Sequence, residues 1–105
     1  MQKNKGARGE RELAKKFTEV FNCEARRGRQ FSGSPDSPDV ITSIEGIHIE
    51  CKRTERFLLW DALEQSTNDA GEDVPIVCHR KNNKDWVVVV KLEDLPRLVK
   101  CLKDY

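Results

Sequence analysis

The stretch Phe57–Ala70 reads as a helix, and it stands between two stretches that read as strands. Leu59, Ala62, Leu63, Ser66 and Ala70 share one helical face, and Gly71 is placed to end the helix. Before it, Asp39–Arg53 holds two runs rich in Val, Ile and Thr that turn at Glu45-Gly46, the pattern of a β-hairpin. After it come "VPIVCHR" and "WVVVV", joined by the polar turn "KNNKD". Their near-continuous apolar runs predict strands covered on both faces. A helix crossing over from a hairpin to a later strand favours a mixed sheet in an α/β sandwich.

The remaining segments fit around that unit. Leu13, Ala14, Phe17, Val20 and Phe21 recur at helical spacing and predict a first helix over Ala7–Phe21. Glu10 falls on the edge of this apolar stripe, whereas Glu12, Lys15, Lys16 and Glu19 point away from it. A short strand is expected around Cys23–Arg27, followed by a loop dense in Gly, Ser and Pro, "GRQFSGSPDSP". Leu95, Leu98, Val99 and Leu102 predict a short closing helix. The expected fold class is α/β, a mixed β-sheet flanked by helices in the order αβββαββα.

With 105 residues the chain is expected to be a single domain, residues 1–105. No apolar run approaches the ~20 residues of a membrane span. The N-terminus "MQKNKGARGERE" lacks the apolar segment of a secretory signal, so the expected location is the cytoplasm, with no membrane partner. Cys23, Cys51, Cys78 and Cys101 are widely spaced, with no CxxC or Cys/His pair, which predicts free, mostly buried thiols. The net charge of +1 specifies no partner, but its distribution is uneven. Residues 1–30 carry nine Lys/Arg against four Glu, and Phe57–His79 carries five acids and no Lys or Arg. Such asymmetry suggests one face for a polyanion and another for something else.

The hairpin also selects among the acids of "PDSPDVITSIEGIHIECKR". A two-residue turn at Glu45-Gly46 sets Ile44 opposite Ile47, Thr42 opposite Ile49, Ile41 opposite Glu50 and Asp39 opposite Lys52. Alternation puts Asp39, Ile41, Ser43, His48, Glu50 and Lys52 on one face, and Val40, Thr42, Ile44, Ile47, Ile49 and Cys51 on a core face. Asp39 is then a cross-strand neighbour of Lys52 and Glu50, while Asp36 belongs to the preceding loop. A plain surface salt-bridge cluster would use the same residue types. Phosphodiester hydrolysis, however, requires a hard cation on oxygen ligands and a nucleophilic water. Asp39, Glu50 and the backbone carbonyl of Cys51 can supply those oxygens, and Lys52 can orient the water or offset developing charge.

Pro38-Asp39 and Glu50-Cys51-Lys52 match the PD-(D/E)XK motif, so the chain resembles the restriction-endonuclease-like nuclease superfamily. "KGARGERELAKKF" (Lys5–Phe17) and "RRGRQFSGSPDSPDV" (Arg26–Val40) are similar to archaeal-type Holliday junction resolvases and their phage-borne relatives. "IHIECKRTERFLLWDALEQ" followed by "VCHRKNNKDWVVV" resembles the phage-encoded branch. The resemblance runs from Lys5 to Leu95 and implies a restriction-endonuclease-like fold. It further implies a Mg²⁺-dependent endonuclease, with Mn²⁺ able to substitute, in a host cytoplasm if phage-encoded. By position, Asp39 and Glu50 would be metal ligands, Lys52 the catalytic lysine, and Glu10 the N-terminal acid completing the metal site or its water shell. Ser34 would be the serine near the scissile phosphate, with Ser32 and Ser37 competing for that role. Gln65 would match a helix glutamine near the site.

Guanidinium groups grip phosphates bidentately, which makes Arg8, Arg11, Arg26, Arg27 and Arg29 the expected DNA track, extended by Lys5 and Arg53. His79 and Arg80 offer a second basic segment beside the sheet. The expected substrate is branched double-stranded DNA, with a four-way junction foremost. Two symmetric cuts by a chain with one site would demand a homodimer. The alternatives are another structure-specific PD-(D/E)XK nuclease, of flap or repair type, and a non-catalytic DNA-binding module.

Overall fold

The computed structural model describes residues 2–28 and 37–105, with the side chains of the first segment described from Gly6 onward. Arg29, Ser32, Ser34, Asp36 and the side chain of Lys5 therefore lie outside the described residues. The elements are α1 (Gln2–Phe21), β1 (Ala25–Arg27), β2 (Val40–Thr42), β3 (Ile47–Arg53), α2 (Leu59–Ala70), β4 (Val74–Arg80), β5 (Val87–Val89), a 3₁₀ turn (Leu92–Asp94) and α3 (Leu95–Asp104). This is the order αβββαββα, with α1 starting five residues earlier than periodicity predicts and α2 two residues later.

The five strands form one sheet in the order β1-β2-β3-β4-β5. The crossover through α2 makes β3 and β4 parallel, and all other pairs are antiparallel. One side of the sheet packs against α1 and α3: Leu13, Ala14 and Phe17 meet Val40, Ile49, Ile76, Cys78 and Leu98. The other side packs against α2, where Ala62 and Leu63 cover Val77 with Phe57 and Val89 at the margin. Four free thiols are present, with Cys23 and Cys78 buried and Cys51 and Cys101 half-buried.

The hairpin register differs from the two-residue-turn expectation. Val40 pairs with Ile49, and the Asp39 amide donates to the Ile49 carbonyl at 2.9 Å. Asp39 therefore sits beside Glu50 rather than opposite Lys52. The connection between the strands is four residues, Ser43–Gly46. The Thr42 hydroxyl accepts the Ile44 amide at 3.1 Å, and Gly46 takes a positive φ of 90°. A slip of two residues keeps every side chain on its predicted face, whereas a slip of one would have inverted them.

Three expectations about exposure are overturned. β5 is an edge strand, not one covered on both faces: Val87 and Val88 are 50% and 52% exposed. Val20, assigned to the buried stripe of α1, is exposed, although Phe21 beside it packs against the core. Glu12 does not point into solvent alone. It bridges Arg53 and Arg80 at 2.9 and 3.0 Å and ties α1 to the ends of β3 and β4.

Candidate active site

The site lies on the α2 side of the sheet, where β2 begins and β3 runs on past it. Because β2 starts at Val40, the β3 backbone beyond Glu50 has no β2 partner, and a side chain fills that role. Asp39 Oδ2 accepts the Cys51 amide at 2.8 Å. Asp39 is thus fixed at both ends, by its own amide on Ile49 and by its carboxylate on Cys51. Its carbonyl accepts the Gly28 amide at 2.8 Å, which joins the end of β1 to the same point.

Asp39 and Glu50 are both buried, at 8% and 6% exposure. Two carboxylates in so dry a place resist ionisation. Burial first, and then the Asp39 charge, push the Glu50 pKa up to about 7, while Lys52 pulls it back. Asp39 is also raised, chiefly by burial, with the Cys51 amide and Lys52 opposing. Lys52 follows Glu50 on the same face and lies level with His79 of β4. His79 is held by stacking on Phe57 (ring centroids 4.1 Å apart) and by a 3.0 Å contact to the Thr54 carbonyl.

The sequence-predicted Asp39, Glu50 and Lys52 are therefore brought together, and Glu10 stands at the rim. Glu10 accepts the Arg27 Nε at 2.6 Å and is near enough to Asp39 for the two charges to interact. Burial raises the Glu10 pKa and Arg27 opposes the rise. Gln65 is exposed on α2, whereas its neighbour Ser66 is fully buried. Ser34 and its rival Ser32 fall outside the described residues, and Ser37 is half-buried just before the motif.

Among the described residues no group of three or more His, Cys, Asp and Glu side chains is arranged to hold a metal ion. That does not argue against Mg²⁺, which keeps several of its own waters and needs only one or two carboxylates. Glu50 Oε1 is buried with no hydrogen-bond partner, the state expected of a ligand oxygen. Asp39, Glu50 and the Cys51 carbonyl offer hard oxygens only, so the residues present fit such an ion. A divalent cation held there would polarise a phosphate and acidify a water.

The predicted basic residues divide into two groups. Arg11, Arg26 and Arg27 line an open cleft of about 680 Å³ between α1 and β1, and Arg8 is exposed on the same helix. Lys15 also lines this cleft, a residue that sequence reasoning placed on the solvent side. Its spacing of four from Arg11 was the available signal. Arg53 and Arg80 form a separate group bound to Glu12, with Asn82 and Glu55 also on Arg53. Arg11→Ala combined with Arg26→Ala should weaken binding to every DNA shape and lower the salt slope by roughly one to two units, at ~0.9 per phosphate contact. Arg27 is left out of that pair because it also holds Glu10. An unchanged slope in a salt titration would place DNA elsewhere.

The family model described as "Phage putative PDDEXK endonuclease" matches residues 1–105. No curated protein matches the sequence. Among solved structures, the chain is similar in fold to Archaeoglobus fulgidus Hjc, a Holliday junction resolvase from an archaeal hyperthermophile. The two are 24% identical with a TM-score of 0.59, over 82% of this chain and 72% of that one. Among the described residues no helix is long and apolar enough to cross a membrane.

Proposed function

The chain belongs to the phage PDDEXK endonuclease family, and from that premise we propose that it hydrolyses phosphodiesters in branched DNA, with the four-way junction as substrate and Mg²⁺ as cofactor. The observation that carries the reading is the buried Asp39–Glu50 pair with Lys52 next on the same face. Asp39 and Glu50 hold the cation, Lys52 faces the charge that develops on the phosphate, and Glu10 shapes the rim. The cleft of Arg11, Lys15, Arg26 and Arg27 grips the backbone of an adjoining duplex arm. Mn²⁺ can replace Mg²⁺ on the same oxygen ligands. The chemistry belongs in the cytoplasm of the host.

Matched four-way, flap and linear duplex substrates, incubated with the protein and Mg²⁺, test the reading. Paired cuts in the four-way junction at rates well above the others are expected. Preference for the flap would move the protein to the repair-type nucleases, and binding without cutting would make it a non-catalytic module.

Junction resolution requires two sites and therefore a homodimer. The surface that best fits is the start of α2, where Leu58 and Trp60 are 63% and 77% exposed within the acid-rich segment. Phe57, beside them, is half-buried under His79 and does not contribute. Trp60→Glu should give a folded monomer that nicks junctions instead of resolving them. Sedimentation of the wild type as a monomer at micromolar concentration, with and without DNA, would contradict the dimer.

A further inference from the structure

Glu50 is buried on a sheet that α2 covers, and the underside of α2 is not wholly apolar. Ala62 and Leu63 pack on Val77, which is the β4 residue level with Glu50. One turn further along the same face comes Ser66, with no exposure at all and no hydrogen-bond partner for its hydroxyl. The connection after α2 is short: Ala70 ends the helix and Val74, level with Ile47, begins β4. Ser66 is four residues back from Ala70, about 6 Å along the helix and hence about two strand residues. That sets it level with the His48–Glu50 segment of β3.

Two buried polar atoms without hydrogen-bond partners, Glu50 Oε1 and Ser66 Oγ, therefore lie in one narrow layer between α2 and the sheet. His48, 4% exposed, borders the same layer with Nδ1 3.9 Å from Glu50 Oε1. Asp69, one turn beyond Ser66, is near enough to Glu50 for its charge to be felt. A fully buried serine hydroxyl costs stability when unpaired, so a leucine or alanine would serve packing better.

We propose that Ser66 is a positioning residue for the reaction: its hydroxyl donates to Glu50 through one water held in the layer beside His48, and so fixes how the carboxylate is presented to the cation. The inference rests on Glu50 being a cation ligand. Donors behind a ligating carboxylate set its orientation and commonly govern metal affinity by 10- to 100-fold. Exposed Gln65 then has no part in holding Glu50, and the α2 contribution to the site comes from beneath the helix.

The probe is Mn²⁺ alone, titrated calorimetrically into the full chain without DNA, beside DNA affinity and thermal unfolding. Wild type should bind Mn²⁺ and Glu50→Gln should not. Ser66→Ala should bind about tenfold more weakly and need correspondingly more Mn²⁺ for half-maximal cleavage. Its DNA affinity should match wild type and its unfolding temperature should be no lower, because alanine fits the space and removes a buried polar atom. His48→Gln, which keeps a donor, should retain most of the affinity. A Ser66→Ala protein with wild-type Mn²⁺ affinity overturns the inference while leaving Glu50 as ligand. Loss of Mn²⁺ binding neither by Glu50→Gln nor by Ser66→Ala overturns the metal site itself.

Discussion

Glu50→Gln should eliminate DNA cleavage and at the same time make the metal-free protein more stable. Both results come from the same burial. The carboxyl is raised from 4.5 to about 7, so keeping it ionised at pH 8 costs the fold roughly 3 kcal/mol. Because the folded pKa lies above the unfolded one, Glu50 favours the folded state most below about pH 4.5. That contribution is lost as pH rises through about 7. Wild type without metal should therefore unfold more easily at pH 8 than at pH 6, as far as this group decides it. Gln keeps the shape without the charge and should remove most of that difference, and millimolar Mg²⁺ should do the same for wild type but not for the variant. A missing metal ligand removes several kcal/mol of transition-state stabilisation, a rate loss of roughly a thousandfold or more. Thermal melts at the two pH values, with and without Mg²⁺, together with single-turnover cleavage, check both halves. A variant less stable than wild type at pH 8 would mean that Glu50 is held by structural bonds, not by a cation.

Gly28→Ala should be the most damaging Gly→Ala change among the described glycines. A Cβ at Gly28 would clash with the Pro38 carbonyl oxygen and stand 3.3 Å from the Asp39 backbone. Both are backbone atoms, and Gly28 is bonded to Asp39 through its amide, so neither side can yield by rotating a side chain. β1 must part from Asp39, at about 3 kcal/mol. In a chain of this size that corresponds to a fall of roughly 10–20 °C in melting temperature. Cleavage should fall further than stability explains, since moving a positioned ligand by about 1 Å can lower a rate ~100-fold. Gly6→Ala, whose Cβ meets nothing within 4 Å, is the control and should be silent in both assays. Equal melting temperatures for Gly28→Ala and wild type would show that β1 does not hold Asp39.

Much of this site was legible before any coordinates. Alternation placed Asp39, Glu50 and Lys52 on one face, and the helix between the hairpin and "VPIVCHR" gave the mixed sheet. The register was misjudged by two residues because it depends on the Ser43–Gly46 turn. There the Thr42 hydroxyl and a left-handed Gly46 act locally, and alternation does not report them. Face assignment survived because the error was even. "WVVVV" misled because an apolar run reads alike in a central strand and in an edge strand. Glu12 and its two arginines were invisible for another reason: the partners are 41 and 68 residues away, and such pairings follow from the fold, not from spacing. Ser66 was read correctly as an inward-facing residue of α2, but its neighbours on the sheet, and so its relation to Glu50, depend on the parallel register of β3 and β4.

The central claim is that this chain cuts DNA with a cation held between Asp39 and Glu50. Its most direct test is cleavage of a labelled four-way junction by purified wild type and Asp39→Asn, each with Mg²⁺ or with chelator, and with binding measured in parallel. Metal-dependent cutting by wild type is predicted, with none by Asp39→Asn although it still binds the junction. Cutting that persists in Asp39→Asn, or in chelator, would contradict the account.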